Sequence, residues 1–170
     1  MRPPCPQMKL MAVVLMLASP TVFAQEAPAE LSMHGGTYPN TCSAKGKSSL
    51  KALLAEKKAP KTSSLWSAIE TLLCSPKNTA NEGKIMQLLA PTLTSRYEGT
   101  GEEPSEEQVP ASMELAQKLM ANRHVWNAGI QGYDTEIEVQ YFSNEACVDG
   151  VTFTYDAKRW RITKFGGACD

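Results

Sequence analysis

Four cysteines, at positions 42, 74, 147 and 169, constrain this chain more than any other feature. They follow an N-terminal stretch that reads as an export signal. Arg2 and Lys9 supply a positive start, "LMAVVLMLA" a short apolar core, and Val22 and Ala24 the small residues of a cleavage site. That core is too short to span a bilayer, so residues 1–24 are expected to be removed rather than to anchor the chain. Cys5 lies ahead of the apolar core and leaves with the signal. An even number of cysteines in an exported chain predicts two disulfides and an oxidising compartment, the periplasm or the exterior. Zinc is the competing use of cysteine. No two of these residues have the C-x-x-C spacing, and neither histidine lies near them, so no metal and no cofactor are expected.

Removal of the signal takes the formal charge from −1 to −3. This mild acidity argues against nucleic acid or an anionic membrane surface as a partner. The remaining length suits one domain, preceded by a Pro- and Gly-containing leader over 25–41.

Within 42–170 the hydrophobic period changes once. From Cys42 to about residue 125 it is helical. Leu50, Leu53 and Leu54 predict a first helix with Ser48 or Ser49 as its cap, ended by Pro60. Leu65, Ile69, Leu72 and Leu73 predict a second, capped within Thr62–Ser64. A short link makes the two an antiparallel pair, which brings Cys42 beside Cys74. "TANE" is a capping-box match, Thr79 with Glu82, and opens a third helix whose inner face is Ile85, Met86, Leu88 and Leu89 before Pro91. "YEGTGEEPSEEQVP" reads as a solvated acidic loop, or else as a surface for a basic partner. Pro110 suits the first turn of a fourth helix, which presents Met113, Ala116, Leu119 and Met120 to the core, and "NAG" with "QGYD" then breaks the pattern.

From residue 133 to 169 the period is two. Ile137, Val139 and Tyr141 alternate with Glu136, Glu138 and Gln140. Val151, Phe153 and Tyr155 alternate with Thr152 and Thr154, and Trp160 and Ile162 flank Arg161. The fold class predicted is α+β, about four N-terminal helices on one face of a small C-terminal antiparallel meander. Register places Tyr155 opposite Trp160 and Phe153 opposite Ile162. Cys147 then falls one residue short of Cys169, and a bulge at Gly166–Gly167 would align them. The expected pairing is therefore Cys42–Cys74 and Cys147–Cys169.

Candidate chemistry is sparse. His124 with Asp134 or Glu136 could form a His–carboxylate pair for a hydrolase, and His34 with Met33 a soft copper pair. No nucleophile elbow, zincin, phosphate-loop or dinucleotide motif is present, so no catalytic residue is assigned. The outer face of the meander is the preferred binding surface: Glu136, Glu138, Gln140, Thr152, Thr154, Arg161 and Thr163, with Trp126, Tyr133 and Phe165 as aromatic anchors at its border. "VTFTYDAKRWRITKF" resembles the closing hairpin of NTF2-like domains, in which a Trp-centred strand follows a short charged turn. That resemblance implies a ligand pocket between sheet and helices. The function expected is a non-enzymatic, exported protein-binding module, an inhibitor or immunity-like protein whose partner is an envelope protein. The alternative is a small-molecule carrier with an NTF2-like pocket.

Overall fold

The spacing of leucines after Cys42 becomes helix as expected, although the caps lie elsewhere. In the computed structural model, which describes residues 40–98, 105–142 and 146–169, α1 spans Ala44–Glu56 and α2 spans Thr62–Cys74. Ser43, not Ser48 or Ser49, caps α1 by accepting from Gly46 N at 3.0 Å. At α2 the capping position is Lys61 in the left-handed region, and the Thr62 hydroxyl donates back to Ala59 O. The helices are antiparallel, and Cys42–Cys74 closes their paired ends with a Cα–Cα distance of 5.3 Å. The chain is anchored where it enters α1: Thr41 is buried and donates its backbone N–H to Val125 O. Residues 1–39, with the expected signal, Cys5, Met33 and His34, lie outside the described residues.

α3 spans Thr79–Leu88 and is capped by Asn78, one residue ahead of the expected Thr79. The chain then turns into sheet earlier than Pro91 suggests. β1 (Leu89–Glu98) and β2 (Ser105–Pro110) form an antiparallel pair where an acidic loop was expected. Leu93 and Ser95 point inward and alternate with Thr94 and Arg96, a period that the surrounding acids and prolines mask. The charges of β2 suit an outermost strand, where they oppose pairing with a further chain. Pro110 ends that strand, and Ser112 caps α4 (Met113–Leu119) by accepting from Leu115 N. Met113, expected inside, is 44% exposed. The glycine-containing break after α4 is a further strand, β3 (Asn127–Tyr133), followed by β4 (Glu136–Phe142), β5 (Cys147–Asp156) and β6 (Arg159–Cys169).

The strand order is β2-β1-β6-β5-β4-β3. β3 to β6 form the expected antiparallel meander, but β1 joins β6 in parallel. The fold is α+β with four helices on a mixed six-stranded sheet, and two of its strands lie within the 42–125 segment expected to be helical. Phe153, Ile137 and Ile162 from the sheet meet Leu65, Ile69, Leu72 and Ile85 from the helices, all at 0% exposure. Large apolar side chains therefore fill the interface between sheet and helices. Two polar groups are satisfied within it: the Trp160 indole N–H donates to Pro60 O at 2.8 Å and the Tyr141 hydroxyl to Leu119 O at 3.2 Å.

In the closing hairpin Tyr155 faces Trp160, Phe153 faces Ile162, and Cys147 faces Cys169, as the register argument predicts. The extra residue lies elsewhere, because Thr152 pairs with Lys164 and leaves Thr163 as the bulge. Gly166 has a different task. A Cβ there would overlap the Arg96 carbonyl oxygen of β1, so the parallel contact between β1 and β6 requires glycine. The shift also turns Phe165 inward, where it is 5% exposed and part of the core.

Candidate functional site: the outer face of the sheet

With helices on one face, alternation sends Glu136, Glu138 and Gln140 of β4 to the other, together with Thr152 and Thr154 of β5. Five of the expected residues, Glu136, Glu138, Gln140, Thr152 and Phe165, line a concavity of about 660 Å³ on this face. Its shape follows from register. One row of partners runs Gly129, Gln140, Gly150, Gly166, Arg96, Glu106 and crosses all six strands. Three of the six residues in that row have no side chain, which leaves the backbone bare and makes a floor. The next row rises beside it as a polar wall: Gln131, Glu138, Thr152, Lys164, Thr94 and Gln108. On the far side Val148 and Ala168 form a low apolar edge. The residues that line it come from five strands, β2, β1, β6, β5 and β4, which at ~4.8 Å spacing make a trough about 19 Å long, running across the strands.

Hydrogen bonds hold its polar wall. Gln131 donates to Gln140 Oε1 and Gln140 donates to Glu138 Oε1, each at 3.0 Å. That Glu138 oxygen leans over Gly150, 3.3 Å from where a Cβ would stand. Charges pair across strands, Lys164 with Glu136 at 3.4 Å and Arg96 with Glu106 at 3.9 Å, and along β1, Arg96 with Glu98 at 2.9 Å. The side chains in these pairs are between 47% and 62% exposed, so water screens them and each pair adds little stability. Glu98, Glu106, Glu136 and Glu138 against Arg96 and Lys164 leave the lining negative, while Asp149, paired with Tyr141, turns to the other face.

The other expected residues have different surroundings. Thr154 and Thr163 bond each other through their hydroxyls at 2.7 Å, beyond the trough. Arg161 donates to Leu89 O, where β1 departs from regular pairing with β6. Tyr133 is 65% exposed at the β3–β4 turn, with Lys57 Nζ 5.2 Å from its ring centre. Trp126 is half-buried, and its backbone carbonyl accepts from the Thr41 hydroxyl. The structure thus adds Arg96, Glu106, Lys164 and the glycine row, which the sequence reading passed over. The alternation Thr94–Arg96–Glu98 was the available signal for the first.

His124 does not meet its expected acids. It precedes β3, whereas Asp134 and Glu136 follow it, and seven strand residues at ~3.3 Å each separate the two ends. All four cysteines of the domain are in disulfides, so none is a free thiol. Among the described residues no three His, Cys, Asp or Glu side chains gather as a metal site. The group with a marked shift in acidity is Tyr141, on the helix side. Burial pushes its phenol well above the ordinary range, and the negative charge of Asp149 acts in the same direction.

No protein-family model matches the chain, and no curated protein is detectably similar to it. Similar solved structures include a DUF4783 family protein from Bacteroides fragilis YCH46, with 10% identity over 61% of this chain and 95% of that one, at a TM-score of 0.36. A protein of unknown function with a cystatin-like fold from Nostoc punctiforme PCC 73102 shares 14% identity over 75% of this chain and 93% of that one, at 0.34. An NTF-2 like protein of unknown function from Silicibacter pomeroyi DSS-3 shares 9% over 75% and 99%, at 0.33. At these TM-scores the likenesses carry no argument about activity or partner.

Proposed function

We propose that the chain is a non-enzymatic binding protein that docks a segment of another protein in the trough on its outer sheet face. The observation that carries this reading is the glycine-floored row, which opens backbone and polar side chains along one line across the sheet. A surface meant only for solvent has no need of two adjacent strands, β5 and β6, bared at the same level. The negative lining selects the partner's chemistry, a basic segment with long Lys or Arg side chains that reach Glu138 and Glu106. The two disulfides suggest an oxidising, extracytoplasmic location, and no helix among the described residues is long and apolar enough to cross a membrane. With the export signal read over residues 1–24, we propose the periplasm as the chain's compartment and an inhibitor or immunity-like role against an envelope-acting enzyme.

The separation of His124 from Asp134 and Glu136 supports binding over hydrolysis. A second reading, a small-molecule carrier, moves from the sheet–helix interface to the trough, whose volume of about 660 Å³ suits a small ligand. Capture from periplasmic extract separates the two. A stoichiometric basic partner is expected on immobilised wild type and is lost when Gly150→Leu with Thr152→Arg fills the trough. Retention of the same partner by the filled variant would contradict the site, and a bound small molecule with no protein would favour the carrier.

A further inference from the structure

A second surface has the opposite charge. Beside α2, α3 and the β5–β6 turn lies an open cleft of about 720 Å³ into which Lys61, Lys84, Lys158 and Arg159 project, with no carboxylate in its lining. Of the fifteen described lysines and arginines three pair with acids: Lys47 with Glu70, Lys164 with Glu136, and Arg96 with Glu98 and Glu106. These four have no ion pair among the described residues. Lys61 Nζ instead donates to Lys158 O at 2.7 Å, and Lys84 Nζ to Asn81 Oδ1 at 3.2 Å.

The backbone is also unusual here. Lys61 and Lys158 both adopt positive φ, 46° and 64°, and Ala157 at 46° makes the whole hairpin turn left-handed. Turns of this kind normally use Asn and Gly, because a Cβ clashes in that region. Lys61 and Lys158 are tied to each other by the bond above, so the strained positions and the unpaired charges coincide. Backbone strain of this kind gathers where a ligand is gripped.

We infer that this cleft binds a small soluble molecule carrying phosphoryl groups. Three ammonium groups and one guanidinium supply charge-assisted donors, the guanidinium in a fork that matches two oxygens of one phosphoryl group. Ser67 and Gln87, both exposed in the lining, add neutral donors. A membrane headgroup offers the same chemistry but fits less well. None of the exposed large hydrophobics, Leu53, Tyr97, Met113, Tyr133 and Phe142, lies at the cleft to enter lipid, and Trp160 is buried with its N–H bound to Pro60.

Titration of the isotope-labelled chain with inorganic pyrophosphate, followed by amide chemical shifts, tests this. Saturable shifts are expected at Lys61, Ser67, Lys84 and Arg159 and not at Glu138 or Thr152. Lys84→Gln with Arg159→Gln should weaken binding at least tenfold with the thermal midpoint unchanged, while Thr152→Arg leaves it as it is. The outcome is independent of the trough, so either site can fail alone. Absence of saturable shifts, or an equal response to sodium chloride at matched ionic strength, overturns the inference. So does binding to phosphatidylglycerol vesicles without binding to pyrophosphate, which would mark a membrane surface.

Discussion

Gly166 and Gly150 stand at the same level of the sheet yet have different reasons to be glycine. At Gly166 any Cβ meets the fixed backbone of β1, whereas at Gly150 it meets the movable end of Glu138. Gly166→Ala should therefore cost about 1–3 kcal/mol in urea unfolding, as forced overpacking does. Gly129→Ala, with open space around it, should change stability by no more than about 1 kcal/mol and in the favourable direction. Equal effects would contradict the assigned register. Tyr141 supplies a pH test. Its phenol is harder to ionise folded than unfolded, so the native state retains the proton longer. Its contribution is intact below the unfolded value of about 10 and falls as pH rises through and above it. Tyr141→Phe should flatten that alkaline decline in stability, at a cost of about 1 kcal/mol for the lost bond to Leu119 O. At this scale Glu136, Glu138, Gln140 and Thr152 were legible because their strands alternate without interruption. Arg96 and Glu106 were not, since their neighbours Gly99, Gly101 and Pro104 make the same stretch read as loop.

Each strand that the sequence concealed did so for a physical reason. β3 carries Gly129 and Gly132, which weaken strand propensity, and its pairing comes from β4 alongside rather than from its own residues. β1 owes its place to a parallel contact with β6, which lies far along the chain and leaves no local signature. The helices, by contrast, carry their own period and were visible, though their caps were displaced, by five or six residues at α1 and by one at α3. The closing bulge was assigned to the glycines, the residues best suited to it by conformation. Thr163 takes it because Gly166 is needed where β1 approaches. The Cys147–Cys169 bridge fastens the last residues of β6, across a sequence separation of 22. Replacing both cysteines by serine should cost about 2–4 kcal/mol, read as a lower denaturant midpoint. At the other end of this hairpin, Lys158→Gly should stabilise by about 1 kcal/mol, since glycine adopts positive φ without a clash. The same change should weaken pyrophosphate binding, and a stabilised variant with unaltered binding would separate the strain from the cleft.

The molecule as a whole presents two surfaces of opposite sign, an acidic trough across the sheet and a basic cleft beside the helices, under a net charge near neutral. Composition averages the two and conceals both, which is why overall charge could argue only against extended anionic partners. The central claim is that the partner sits on the sheet and not on the helices. Photo-crosslinking from two single positions tests it most directly: Thr152 within the trough, and Leu53, exposed on α1. One discrete basic protein should crosslink from position 152, diminished by Glu138→Lys and by raised salt, and be absent from position 53. Crosslinks from position 53 alone, or from 152 without dependence on Glu138, would contradict it.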